Sequence, residues 1–265
     1  MRKYLETFRL SFKMQIVWRF DVAMTMAATA GRIIAAWILW QAIFSDRSMV
    51  MGFSLQSMLS YYILCSIFSS IDFSHQISGE VSYLIQNGRF SGHMVTPINP
   101  FYFFYSMTQG ESAFHLFFSI IAAAACALLF GITPAISGSA LQILLAVAII
   151  PVGLFFMAAY HYLVGIMAFK FIEIGFFMHV QSSIIAFATG SMVPLSLLPA
   201  GVLAVFRFLP FTHVIYTPVM LLCGNMSAEE GLLSLGILAA WTLAIYFLSQ
   251  FSYRHLRTKY DGVGI

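Results

Sequence analysis

Two ionisable residues, Arg32 and Glu111, lie inside long apolar runs of the sequence. A charge at the centre of a bilayer costs roughly 2.5 to 3.5 kcal/mol on insertion scales, and it usually marks a partner or a transport pathway. Counted from the starts of their runs near Phe20 and Phe101, the two residues are about twelve and ten residues in. We therefore predict an ion pair between them, which either locks two helices together or contributes directly to the passage of a substrate.

Hydroxyl, amide and imidazole side chains recur in two other apolar runs, at positions that a lipid-facing surface would avoid. They could line a path across a membrane, and close packing of helices explains any single hydroxyl equally well. The candidate path residues are Tyr61, Tyr62, Ser66, Ser69, His179, Gln181 and Ser183.

Common catalytic and metal-binding motifs are absent from the sequence. No lysine follows a glycine, so there is no G-x-x-x-x-G-K-[ST] loop to hold nucleotide phosphates, and H-E-x-x-H, C-x-x-C and G-x-S-x-G do not occur. The 15 methionines show no recurring ligand spacing, and the 3 cysteines are an odd number within apolar runs. We expect a protein that is not an enzyme, with no catalytic residue, no metal site and no cofactor of its own.

The amino-acid composition indicates that the chain folds in a lipid bilayer and not as a soluble protein in water. Of 265 residues, 60% are hydrophobic and only 9% are charged, whereas an ordinary soluble domain has roughly 25% charged residues. At roughly 20 apolar residues per crossing, this length accommodates about five to seven membrane spans. The net charge of +3 is too small to indicate nucleic-acid binding.

The hydrophobic pattern predicts an all-α integral membrane protein with six transmembrane helices. Residues 1–20 form an amphipathic interfacial helix, because apolar and charged residues alternate there with helical spacing. A single transmembrane domain covers residues 21–265, with a polar loop at 75–99 and outward re-entrant helices at 194–230, before the last span. The predicted spans are residues 22–44, 55–73, 101–129, 141–169, 174–193 and 232–251.

The cations predict the orientation of these spans. With the N-terminus in the cytoplasm, ten of the 13 lysines and arginines face inward, and only Arg47 and Arg207 face outward. Both termini are then cytoplasmic, and the 75–99 loop is the largest inner connection.

Two groups of short motifs carry a resemblance to a known family. The inner loop contains Ile77-Ser78-Gly79-Glu80-Val81, Asn87-Gly88-Arg89-Phe90 and Val95-Thr96-Pro97-Ile98-Asn99-Pro100. The outward segment contains Pro194-Leu195-Ser196-Leu197-Leu198-Pro199, Leu209-Pro210-Phe211 and Pro218-Val219-Met220-Leu221-Leu222-Cys223-Gly224. Together with the order of the predicted spans, these motifs resemble the type 2 family of ABC-transporter permeases. Val95-Thr96 stands where that family has leucine and arginine before the proline.

The resemblance implies a bacterial inner-membrane permease that works with two separate ATPase subunits and a second, identical or paralogous permease. ATP and magnesium would then be bound by the partner ATPases. The inner loop would be the ATPase-coupling element, and residues 1–20 would be the connecting helix. The coupling residues that the resemblance implies are Ser78, Gly79, Glu80, Tyr83, Gly88 and Arg89.

The aromatic, weakly charged spans favour an apolar or amphipathic cargo, such as a drug, an antibiotic or a lipid-like compound, and the resemblance implies that this cargo is exported. The alternative is a stand-alone secondary carrier. The sequence argues against it, because its halves show no obvious repeat and charged midplane residues are scarce.

Overall fold

The chain folds as a series of helices, and the computed structural model describes residues 2–50, 52–171 and 174–259. The predicted connection at residues 172–173 and the last six residues of the predicted domain lie outside the described residues. Within them, an isolated bridge between Val50 and Phe53 is the only β pairing, so the all-α prediction is confirmed. The α-helices are α1 Arg2–Met14, α2 Arg19–Ile43, α3 Leu55–Ser69, α4 His75–Gln86, α5 Ser91–Val95, α6 Pro100–Leu129, α7 Ala140–Ile166, α8 Gly175–Ala188, α9 Ala200–Phe208, α10 Tyr216–Leu222 and α11 Ala228–Leu256.

Local sequence signals set the starts of three long helices. Ser54 caps α3 and Ser227 caps α11, each in a reciprocal capping box with the residue three positions later. The Asn99 side chain accepts a hydrogen bond from the Phe101 backbone N–H, and Pro100 occupies the first turn of α6. The proline that predicts a third span near residue 101 is therefore the first residue of that helix.

Four helices are long and apolar enough to cross a bilayer: α2, α6, α7 with the 3₁₀ turn that follows it, and α11. The second and fifth predicted spans are shorter than expected, since α3 has 15 residues and α8 has 14. At 1.5 Å per residue each extends about 22 Å, less than the roughly 30 Å hydrocarbon core. The helical segment from Ala200 to Leu222 bends by 84° at Leu209. Six complete spans stay a prediction.

The outer surface of the bundle is apolar. Bulky side chains on the long helices are more than half exposed, as they are at Phe117, Leu128, Leu243, Phe247 and Phe251. An apolar surface of this extent needs lipid around it, because a soluble monomer rarely exposes a large contiguous apolar patch. The chain is therefore a multi-pass membrane protein.

Helix α7 is the central element, packed against α4, α10 and α11. At one end of the bundle, Gln56 and Ser60 of α3 bond to backbone N–H groups at residues 133 and 135, before α7. At the opposite end lie α1, α4 and the last turns of α11. Each end has its own apolar core, one around Tyr61 and one around Phe101.

The N-terminal amphipathic helix is shorter than predicted. It ends at Met14 instead of continuing to residue 20, and α2 begins at Arg19. Helix α1 packs along α6, where a Cβ atom on Gly110 would collide with the Phe8 carbonyl oxygen. The Tyr4 hydroxyl accepts a hydrogen bond from the Asn99 N–H at 3.1 Å, and Lys3 bonds to the Pro97 carbonyl. Helix α1 is therefore tied to the end of the 75–99 segment.

Candidate transport cleft and coupling surface

Arg32 on α2 lies beside the last turn of α3. Its Nη2 donates a hydrogen bond to Ser70 Oγ at 2.5 Å and approaches the Ser66 carbonyl oxygen at 3.5 Å. The Ser70 hydroxyl also bonds to Thr29 of α2, so polar contacts join the two helices at this level. None of these partners carries a charge.

The predicted ion pair between Arg32 and Glu111 does not form. Among the described residues the one ion pair joins Arg207 to Glu230, whose closest oxygen is 3.9 Å away. Glu111 instead shares a cavity with Asp21 and Thr25, near the start of α2. Arg32 is seven residues after Thr25, which places it about 10 Å further along the helix axis. Counting from helix starts failed because α2 and α6 do not begin at the same level of the bundle: Glu111, the twelfth residue of α6, lies beside the first turns of α2.

The Glu111 cavity has a volume of about 320 Å³ and lies where α1, α2 and α6 meet. It is rich in polar side chains and contains a second carboxylate, that of Asp21. Nε2 of the buried His115 ring donates a hydrogen bond to Gln15 Oε1 at 3.3 Å, while its Nδ1 has no hydrogen-bond partner among the described residues. Glu111 therefore lies in an acidic pocket near one end of the bundle and is remote from Arg32.

A second cleft, of about 490 Å³, opens between α2, α3 and the end of α8, and we call it the Arg32 cleft. The structure brings together four predicted site residues along its walls, three of them from the candidate path. The opposite wall is formed by Ala186 and by the turn after α8. The four residues are Arg32, Tyr62, Ser66 and Ser69.

Two tyrosines hold α3 to the turn that closes this cleft. The buried Tyr61 hydroxyl donates to the Gly190 carbonyl at 2.6 Å, and the Tyr62 hydroxyl donates to the Met192 carbonyl at 3.0 Å. Gly190 has a φ of +74°, and a Cβ atom there would lie 3.0 Å from the Tyr61 oxygen. The turn is therefore favoured by glycine and fixed by α3, and Tyr61 supports the cleft without lining it.

The three path residues predicted on α8 do not line the Arg32 cleft. Gln181 is buried and accepts a 2.8 Å hydrogen bond from the Tyr160 hydroxyl. His179 and Ser183 are exposed on the outer face of α8.

The sequence reasoning missed the small residues that make room for the cleft. Ala35 and Ala36 follow Arg32 by about one helical turn, and Ala186 faces them from α8. Small residues one turn away from an intramembrane charge are the signal that could have indicated a cavity, since residues at i+3 and i+4 share its face.

Helix α4 has a buried face that rests on α7. Ser78 Oγ donates to the His75 carbonyl and lies 3.3 Å from His161 Nδ1 of α7. A Cβ atom on Gly165 of α7 would lie 2.9 Å from Val81 Cβ and 3.1 Å from Ser78 Cα, so the two helices touch closely there. Ser78 is 2% exposed. It therefore belongs to the inner face of α4 and cannot be a surface contact for a partner.

The opposite face of α4 is polar and open. Glu80 and Tyr83 are exposed there, with Tyr83 52% exposed, while Gly79 is half-buried, and Arg89 is exposed in the turn that follows α4. Gly88 has a φ of +71°, which permits the chain to turn from α4 into α5. Burial lowers the pKa of the nearby His93 imidazole, and the charge of Glu80 opposes that shift. The charges exposed on this side are those of Glu80 on α4 and of Arg89 in the turn that follows it.

The fold and these two sites define a helical membrane protein with a mostly apolar cleft beside Arg32 and an exposed polar helix at one end. A family profile described as ABC-2 family transporter protein matches residues 30–264. The chain belongs to the ABC-2 transporter family. No curated protein matches it. Membership in this family implies a membrane setting and an ATPase partner in general terms.

Proposed function

We propose that this chain is the membrane-spanning permease subunit of an ATP-driven exporter whose ATPases are separate subunits. Binding and hydrolysis of ATP with magnesium take place in those partners, and this chain has no catalytic residue. Closure of the ATPases rocks two permeases, identical or paralogous, between inward-open and outward-open states. The cargo is an apolar or amphipathic small molecule.

The main support for this proposal is that α4 has one face packed against α7 and an opposite face that is polar and exposed. Its inner face is fixed to α7 through Ser78, Val81 and Gly165. Glu80 and Tyr83 project from the outer face, and Arg89 is exposed in the turn that follows the helix. A helix that is fixed on one side and polar on the other is suited to transmit movement from a bound partner into the bundle. Gly79 and Gly88 complete this coupling surface, and residues 2–14 form the connecting helix beside it.

The distribution of cations supports an orientation with α4 in the cytoplasm. Lys3, Arg89, Arg254 and Arg257 are on the segments gathered at the α4 end, whereas Arg47 follows α2 at the opposite end. Positive charge favours the cytoplasmic side. We therefore place both termini and α4 in the cytoplasm of a bacterium, with the bundle in its inner membrane and the bent segment at residues 194–230 outward.

The Arg32 cleft is the candidate cargo site. It is bounded by α3 and α8, the shorter helices that correspond to the second and fifth predicted spans. The exposed outer face of α8, with His179 and Ser183, would meet the second permease across the path.

Co-purification tests the proposal. The tagged chain, expressed in its native cell and extracted in mild detergent, should retain an ATPase subunit and hydrolyse ATP. A Glu80→Ala, Arg89→Ala double variant should lose that subunit, because it removes both charges of the coupling surface. The matched control is Asp46→Ala, Arg47→Ala, which removes one acid and one base from the exposed segment at the opposite end.

Loss of the subunit from both double variants would refute a specific role for α4. Recovery of the chain alone, without ATP hydrolysis, would instead favour a secondary carrier.

A further inference from the structure

Arg32 is a positive charge far from either end of a membrane-length helix. It is the fourteenth residue of α2, about 20 Å along the axis from Arg19. The side chain has no carboxylate within ion-pair distance among the described residues. An intramembrane arginine normally pairs with an acid or faces a functional cavity. Since none of the described residues supplies that acid, the cavity is the better explanation for Arg32.

The hydrogen bonds of Arg32 leave most of its donors unused. A guanidinium carries five N–H donors in a planar fork that matches a carboxylate or a phosphate. Both contacts of Arg32, to Ser70 Oγ and the Ser66 carbonyl, use Nη2. Its Nε and Nη1 have no acceptor among the described protein groups. Their N–H groups could therefore donate hydrogen bonds to the two anionic oxygens of a ligand.

The rest of the Arg32 cleft is uncharged and mostly apolar. Ala35, Leu39, Cys65 and Met192 contribute apolar surface, and Ser69 and Ser191 contribute hydroxyls. Among the described residues, no aspartate, glutamate or second cation lines it. Its volume of about 490 Å³ is within the range of roughly 300 to 1,000 Å³ found for small-molecule sites.

We propose that the Arg32 cleft binds an anionic amphiphile, with the carboxylate or phosphate of the ligand at Arg32 and its apolar tail along Leu39 and Met192. This inference rests on the proposed function, because it assigns a substrate class to the same cleft. The Glu111 cavity has the opposite charge and does not suit this ligand, since Asp21 and Glu111 line it.

Direct binding tests the assignment. The purified full-length chain in a neutral detergent is titrated with dodecyl phosphate and, separately, with dodecanol, and bound ligand is counted by native mass spectrometry. Wild-type protein should bind the phosphate at least about tenfold more tightly, the gain expected from a charged hydrogen-bonded pair. Arg32→Lys should keep this preference, and Arg32→Gln should remove it.

Two further variants keep the test decisive if Arg32→Gln unfolds. Ala35→Phe fills the cleft while leaving Arg32 in place, so it should weaken both ligands. Arg47→Gln removes an exposed cation outside the cleft and should change neither. Unchanged phosphate preference in Arg32→Gln, or unchanged binding of both ligands in Ala35→Phe, would overturn the assignment.

A second titration distinguishes the two sources of such a ligand. Phosphatidylglycerol presents a phosphate on two chains, as a membrane lipid does, whereas dodecyl phosphate has one chain, as a small cargo molecule does. Arg32-dependent binding of dodecyl phosphate alone identifies a cargo site, and Arg32-dependent binding of phosphatidylglycerol alone identifies a lipid site. Both outcomes retain the anionic ligand.

The ligand-binding experiment and the co-purification experiment can fail independently of each other. If Arg32-dependent binding is found and no ATPase co-purifies, the anionic ligand stands and the proposed function fails. If an ATPase co-purifies and Arg32→Gln binds dodecyl phosphate like wild type, only the ligand assignment fails.

Discussion

Helix α4 and the Arg32 cleft differ in how tightly their helices meet. On α4 the inner face contacts α7 so closely that Gly165 has no room for a Cβ atom. At the Arg32 cleft, α2 and α8 are separated by a space of about 490 Å³, and tyrosine hydrogen bonds hold the closing turn. A part that transmits force must be closely packed, whereas a part that admits cargo must contain a space that can change shape. The difference supports the proposal that α4 couples to the ATPase and that the Arg32 cleft binds the cargo.

The largest expected effect comes from breaking the close packing. Gly165→Ala places a Cβ atom 2.9 Å from Val81 Cβ, so α4 must move away from α7. We expect a loss of about 1 to 3 kcal/mol in stability together with weaker ATPase retention, measured by thermal unfolding in detergent and by co-purification. Gly236→Ala, on the exposed face of α11 with no atom within 4 Å, is the control. Equal behaviour of the two variants would contradict the role given to the α4–α7 contact.

An intermediate effect is expected from loosening the wall of the cleft. Tyr61→Phe removes a buried donor and leaves the Gly190 carbonyl without its 2.6 Å partner, which should cost about 1 to 2 kcal/mol. Dodecyl phosphate binding should weaken as the turn after α8 shifts, while ATPase retention should not change. Tyr62→Phe removes the more accessible hydrogen bond to Met192 and serves as the milder counterpart. A reversed order of the two variants in thermal unfolding would contradict this description of the wall.

The smallest change in stability and binding should come from a site outside both α4 and the Arg32 cleft. Glu230→Gln removes the exposed ion pair with Arg207, whose atoms are 3.9 Å apart and whose side chains are half exposed. Exposed pairs of this kind contribute about 0 to 1 kcal/mol. Thermal unfolding, ATPase retention and ligand binding should all stay near wild type. A large loss in any of them would show that the outward segment takes part in coupling or binding.

Helix positions were the most predictable feature of the sequence. Apolar runs of about 20 residues and the capping signals at Asn99 and Pro100 are local, so they can be recognised without knowing the neighbours. Where each helix begins relative to the membrane is not local. The pairing of Arg32 with Glu111 was wrong because it assumed a common starting level.

The sequence predicts which segments contain the candidate sites, but it does not predict which side of each helix a given residue lies on. The sequence predicts a polar inner loop at residues 75–99, yet Ser78 lies on the buried side of α4, where it contacts His161. Serine is small enough for either side of a helix, so its type does not reveal its direction. On the second predicted span, Tyr62, Ser66 and Ser69 do meet at one cleft with Arg32, because their spacing of three and four residues places them on one helical face.

Site-specific crosslinking at Tyr83 tests the central claim most directly. Tyr83 projects from the coupling surface, and the three native cysteines are buried, so Tyr83→Cys adds a reactive thiol among protected ones. In native membranes treated with a short thiol-to-amine crosslinker, this variant should form an adduct with an ATPase subunit, and Asp46→Cys at the opposite end should not. An absence of the adduct from Tyr83→Cys, or equal adducts from both variants, would contradict the account of α4 as the coupling helix.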